Sequence, residues 1–128
     1  MDPNSAAAQV AQQFSDFYYQ SFDNNRTALN NLYRPTSVMT FETGKFTGAE
    51  IIEKLSTLPF NKVQHKITTV DAHIIDPATQ TLLVMVTGQL LVDDEQNPQY
   101  FAQSFVLVKE ETSGSYYISH DLFRLNYS

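Results

Sequence analysis

Three histidines and a scatter of carboxylates are the side chains in this sequence with the widest chemical reach. His65, Asp71 and His73 share one parity along a strand-like segment, so all three are expected to face the same way. Spacing works against a metal. At ~3.3 Å per residue, His65 and Asp71 stand ~20 Å apart in an unbroken strand, and Asp71 with His73 is too few ligands. Tyr18, Tyr19, Asp16 and Glu42 are the groups available for acid–base work, although tyrosines at helical spacing read first as core. There is no cysteine and no G-x-S-x-G elbow, which leaves nucleophilic catalysis without a recognisable nucleophile. The four glycines are dispersed, so no loop cradles a phosphate. The acidic run Asp93-Asp94-Glu95 is more telling. It follows an apolar strand end and precedes Asn97-Pro98, which keeps its carboxylates ionised and reachable in a loop. Glu42, beside Phe41, is a second exposed carboxylate next to an aromatic. Carboxylates around an apolar hollow suit a partner that offers Lys or Arg near an aromatic.

These groups need a scaffold, and the hydropathy period supplies one. Val10, Phe14, Phe17, Tyr18 and Phe22 follow a helical period after the polar start Asp2-Pro3-Asn4-Ser5. A second, short helix is expected over Asn24 to Tyr33, closed by Arg34-Pro35. Ser37–Phe41 and Lys45-Phe46 form a hairpin around Thr43-Gly44. Thr47-Gly48-Ala49-Glu50 reads as a capping box for a helix carrying Ile51, Ile52, Leu55 and Leu58, with Pro59 as its stop. From Lys62 the period drops to two. Strands are expected over Val63–Ile75, Thr81–Val92 and Tyr100–Val108, with a shorter one over Tyr116–His120. Helices first and adjacent strands second predict an α+β fold, with the helices packed in an antiparallel meander. Leu82–Val86 and Leu90–Val92 are apolar at both parities, so both sheet faces want cover. The helices cover one; a second copy of the chain is the expected cover for the other.

A length of 128 residues suits a single domain over 1–128 with a real core. Eight Lys+Arg against 14 Asp+Glu give a net charge of −6, the wrong sign for gripping nucleic acid phosphates. No apolar run approaches the ~20 residues of a membrane span, so no membrane insertion is expected. Met1–Val10 has no secretory pattern, which points to cytoplasm and nucleus.

The stretch Phe17-Tyr18-Tyr19-Gln20-Ser21-Phe22-Asp23, with Asn25-Arg26-Thr27, Leu29 and Leu32-Tyr33, resembles the nuclear transport factor 2 family. So do Thr40-Phe41-Glu42, Lys54-Leu55-Ser56-Thr57-Leu58-Pro59-Phe60, Lys62-Val63-Gln64-His65, Gly88-Gln89-Leu90 and the ending Asp121-Leu122-Phe123-Arg124-Leu125-Asn126-Tyr127. The match runs from Phe14 to the C-terminus and is nearest in character to the fungal and plant forms. The resemblance implies a strongly curved sheet forming a cone with a hydrophobic cavity, a homodimer joined through the sheets, no catalysis and no cofactor. It implies nuclear import of the small GTPase Ran in its GDP-bound form. It also implies weak binding to phenylalanine-glycine repeats of nuclear pore proteins, with the protein concentrated at the pore.

In the family, an aromatic of Ran enters the cavity while rim carboxylates pair with basic Ran residues. The matching rim positions are Glu42, Asp93 and Glu95, the last a glutamate where animal forms carry aspartate. Phe41, Leu58, Val63, Leu90 and Phe123 are the expected cavity wall. Family members commonly carry an aromatic seven residues before the position of Phe14, as part of the repeat site. Here that position is Ala7, and Met1–Gln13 contains no aromatic at all. The alternatives are another protein-binding module of this fold, of messenger-RNA export or stress-granule type, and an isomerase or dehydratase using the cone pocket.

Overall fold

In the computed structural model, residues 3–58, 62–93 and 97–126 are described, with side chains from residue 6 onward. Pro59, Asp94 and Glu95 lie outside them. Helix α1 (Pro3–Asn24) leads into a 3-10 helix (Arg26–Leu32), then β1 (Tyr33–Phe41), β2 (Gly44–Thr47) and α2 (Ala49–Ser56). Four long strands follow: β3 (Val63–Asp76), β4 (Thr81–Val92), β5 (Gln99–Lys109) and β6 (Tyr116–Asn126). The six strands form one curved sheet in the order β2-β1-β6-β5-β4-β3, with helix α1 lying on its inner face, mainly against β3.

The meander β3–β6 is antiparallel throughout, whereas β1 joins β6 in parallel. That pairing links segments some eighty positions apart, and nothing local in either announces it. The second helix is a 3-10 turn instead of an α-helix, and Tyr33 already belongs to β1. Its Asn-rich sequence, RTALNNL, competes with its own backbone for hydrogen bonds and favours the shorter, tighter form. Pro35 therefore sits early in a strand, where the pairing with β6 is interrupted between Tyr33 and Val38. The expected box at the start of α2 forms by half: Gly48, not Thr47, is the N-cap and no side chain caps it. Glu50 accepts both the backbone N–H and the hydroxyl of Thr47, at 3.1 and 3.0 Å. Gly48 has φ 53°, and a Cβ there would stand 2.8 Å from the Pro35 carbonyl oxygen.

Strand β6 runs well past His120. A bulge opposite Val106/Leu107 puts Ile118 and Asp121 on the same inner face three positions apart, so the simple alternation breaks where the strand was expected to end. The buried stripe of α1 is Ala7, Ala11, Ser15, Tyr18, Tyr19 and Phe22. The small residues let the helix approach the sheet closely. Phe17, expected on that stripe, is 48% exposed because it lies one position off it. Phe105 and Tyr18 are fully buried where helix and sheet meet, their ring centroids 4.9 Å apart and edge-on.

On the outer face, alternate residues of the same strands make an apolar patch. Met85 pairs with Ser104, which pairs with Leu122; in the next row Leu83 pairs with Val106. Met85 is 46% and Leu122 54% exposed, with the small Ser104 between them.

Candidate binding cavity

Helix α1 fills only part of the sheet's hollow. Toward the other end a cavity of about 370 Å³ opens between β1, α2 and the β3–β6 meander. Phe41, Leu58, Val63, Leu90 and Phe123 line it. Of these, Phe41 and Phe123 stack with centroids 4.8 Å apart and planes tilted by 13°, and buried Phe101 backs Phe123 at 5.7 Å and 22°. A rigid aromatic wall of this kind accepts another ring at little entropic cost. Lys54 lies on the same lining, its ammonium 5.3 Å from the Phe41 ring, so a cation also belongs to the opening.

Two carboxylates adjoin the lining. Glu42 follows Phe41, and Asp93 follows Val92, which also lines the cavity. Both have left-handed backbones, with φ 58° and 52°, and only Gln80 shares this among the described non-glycine residues. Such conformations are held by their surroundings. Here the Glu42 N–H donates to the Phe123 carbonyl, and the Asp93 N–H to the Lys62 carbonyl at 2.7 Å. The side chains are anchored as well. The Glu42 carboxylate accepts the Leu125 N–H, and Asp93 Oδ1 accepts the Lys62 N–H at 3.0 Å. Glu42 was expected to be exposed; it is half-buried because it caps the backbone of β6. Glu95 lies outside the described residues.

Beneath the cavity sits a polar cluster. Asp121, fully buried, accepts from the Tyr33 hydroxyl at 2.8 Å and from the Gln103 amide at 2.7 Å, with the Tyr18 hydroxyl at 3.5 Å. The Tyr19 hydroxyl donates to the Gln103 amide oxygen at 2.8 Å. Burial raises the Asp121 carboxyl from its ordinary 3.8 to about 6, against the lowering pull of its three donors. Burial likewise pushes Tyr18, Tyr19 and Tyr33 well above 10, so all three remain neutral donors. Of the four acid–base candidates in the sequence, Tyr18 and Tyr19 belong to this cluster, whereas Asp16 is exposed and bonds Gln12. The carboxylate at depth is Asp121. Its signal was its register: it shares the inner face of β6 with Phe123, as Gln103 shares that of β5 with Phe101 and Phe105.

The histidines separate. A bulge between Ile67 and Thr69 lies opposite Gly88, whose absent side chain leaves room for the Lys66 carbonyl; a Cβ would stand 2.4 Å from that oxygen. Past the bulge the parity reverses. His65 therefore faces the cavity, while Asp71 and His73 are exposed on the outer face. The shared face inferred from spacing is corrected by that one extra residue. Ala7 is 2% exposed and packed in the core, so its side chain does not reach the surface.

Comparison with known proteins gives a consistent picture. Residues 10–125 match the model of the Nuclear transport factor 2 (NTF2) domain. The chain is 56% identical to nuclear transport factor 2 of Kluyveromyces lactis over 120 residues, covering 93% of this chain and 94% of that one. Identity to the Saccharomyces cerevisiae protein of that name is 54% with the same coverage. The structure of nuclear transport factor 2 from Cryptosporidium parvum superposes with a TM-score of 0.87 at 40% identity, covering 98% of this chain and 99% of that one.

Proposed function

This chain belongs to the nuclear transport factor 2 family, a carrier family and not an enzyme family, and on that premise we propose that it imports Ran in its GDP-bound form. The observation that carries this reading is an open aromatic cavity with the anchored carboxylates Glu42 and Asp93 beside its lining. An aromatic side chain presented by a partner enters such a cavity, and basic residues flanking it meet the carboxylates. Both carboxylates are tethered to backbone N–H groups, which fixes them before the partner arrives and lowers the ordering cost of docking. Glu95 is the third rim residue of the proposal. The net charge of −6 favours approach of a basic surface.

Two further contacts complete the proposal. The exposed apolar patch around Leu83, Met85 and Leu122 pairs with its own copy in a homodimer, which removes it from water. Passage through the pore uses weak, multivalent contacts with phenylalanine-glycine repeats of nucleoporins, which places the protein in cytoplasm and nucleus and at the pore. With alanine at position 7, buried in α1, each repeat contact is weaker than one made to an exposed aromatic. The direct test is capture of purified Ran loaded with GDP or with GTP on the immobilised protein. The proposal requires retention of the GDP form and loss of the GTP form; equal capture of both contradicts it.

A further inference from the structure

The polar groups beneath the cavity satisfy one another: Gln103 and Tyr18 are tied to Asp121, Tyr19 and Tyr33. His65 differs. Its side chain is 3% exposed and held between the edges and faces of Phe22 and Phe101, with centroids 5.1 and 5.5 Å away. Asp23 grips it twice, one carboxylate oxygen accepting the His65 backbone N–H at 3.0 Å and the other meeting Nδ1 at 2.6 Å. An ionised carboxylate only accepts, so Nδ1 carries the proton, and in the neutral ring Nε2 is left as a lone-pair acceptor. Such a carboxylate also makes the far nitrogen a better acceptor. Among the described residues nothing bonds Nε2, although the ring lines the cavity.

An acceptor in an apolar hollow selects its ligand. An apolar cavity of ~150 Å³ holds a benzene, and this one, at about 370 Å³, takes a substituted ring with room to spare. Asp23 is engaged with His65, and Lys54, the lining's one lysine or arginine among the described residues, is held over the Phe41 and Phe46 rings, so a charged ligand beside His65 would lose its hydration with little return. We propose that the cavity is a small-molecule site for a neutral phenol, whose hydroxyl donates to His65 Nε2 while its ring stacks among the aromatic wall. The site needs the cavity but not Ran, so its test stands apart from that of the carrier reading.

Phenol and toluene have nearly the same shape and differ in the hydroxyl. Their affinities for the full-length protein and for His65→Phe, measured by ligand-observed titration, form a cycle. The affinity ratio of phenol to toluene should be about tenfold or more higher in the wild type, because the variant leaves the buried hydroxyl unpaired. In the wild type alone, the ¹⁵N resonance of His65 Nε2 should move on adding phenol and hold still on adding toluene, which decides the matter if His65→Phe does not fold. Equal ratios in the two proteins, an unmoved Nε2 resonance, or no binding of either compound would overturn the proposal.

Discussion

The two faces of the sheet are made from alternate residues of the same strands, yet they differ in kind. On β4, Val84 and Val86 point inward and are closed over and Leu90 points inward onto the cavity, while Leu83 and Met85 point outward onto an apolar patch. The inner face is concave, filled by α1 at one end and open at the other, so it can admit a protruding group. The outer face carries exposed Leu83, Met85 and Leu122, which suits side-by-side packing with a similar surface. In the proposed function one strand serves two kinds of recognition, separated by a single step in parity.

Adjacent substitutions should break this division most sharply. Val86→Glu buries an unpaired charge in the core and should abolish folding, read as loss of the cooperative transition by circular dichroism. Met85→Glu places a charge on the outer face, which a two-fold interface buries twice. The dimer should weaken by roughly a hundredfold or more, while each chain stays folded. Sedimentation at micromolar concentration should give about twice 14.5 kDa for the wild type and the single-chain mass for Met85→Glu. A monomeric wild type would remove the outer face from the account.

Much of this division was legible in the residues themselves. The change from helical to strand period at Lys62 located the meander, and the double-parity run Leu82–Val92 marked both faces of β4. What escaped is physically of one sort. Bulges at Ile67/Thr69 and Val106/Leu107 each insert one residue, and each resets which side chains face inward. Asp71 and His73 leave the inner face for that reason, and Ile118 and Asp121 share it at an odd spacing. The clamp of Asp23 on His65 and the parallel pairing of β1 with β6 join segments far apart in sequence, where local pattern is silent. The burial of Ala7, matched by sequence to a repeat-binding position, and of Ala11 escapes a pattern read from large side chains, because close helix–sheet contact selects small ones.

The closed end of the inner face should show itself in its pH dependence. Asp121 titrates near 6 in the folded protein and near 4 unfolded, so between these values the folded state holds the proton more tightly. Its contribution to stability is therefore fully present below pH ~4 and is lost as pH rises through about 6. Asp121→Asn removes that titration. Urea denaturation at one fixed protein concentration should find the wild type losing about 3 kcal/mol relative to Asp121→Asn between pH ~4 and ~7. A constant difference across that range would mean that the cluster does not hold a shifted proton.

A smaller effect is expected at the N-terminal part of α1. Ala7→Trp must push an indole out of a position that is 2% exposed, at a cost of about 1–3 kcal/mol in stability. The emerging ring should strengthen binding to a phenylalanine-glycine repeat peptide by roughly two- to twelvefold. Fluorescence titration and a thermal melt on the same preparation read both. Unchanged repeat affinity would place the repeat site elsewhere on the surface.

Glu42 joins the cavity lining to the proposed acidic rim, and the proposed carrier role rests on it most directly. Titration of Ran·GDP by isothermal calorimetry should compare the wild type with Glu42→Gln, which keeps an acceptor for the Leu125 N–H, and with Glu42→Lys. Removing one partner of a partly buried charge pair costs roughly 2–5 kcal/mol, so Glu42→Lys should weaken binding by at least ~30-fold and Glu42→Gln by less, with both variants folded. Ran·GDP binding to Glu42→Lys with wild-type affinity would contradict the account.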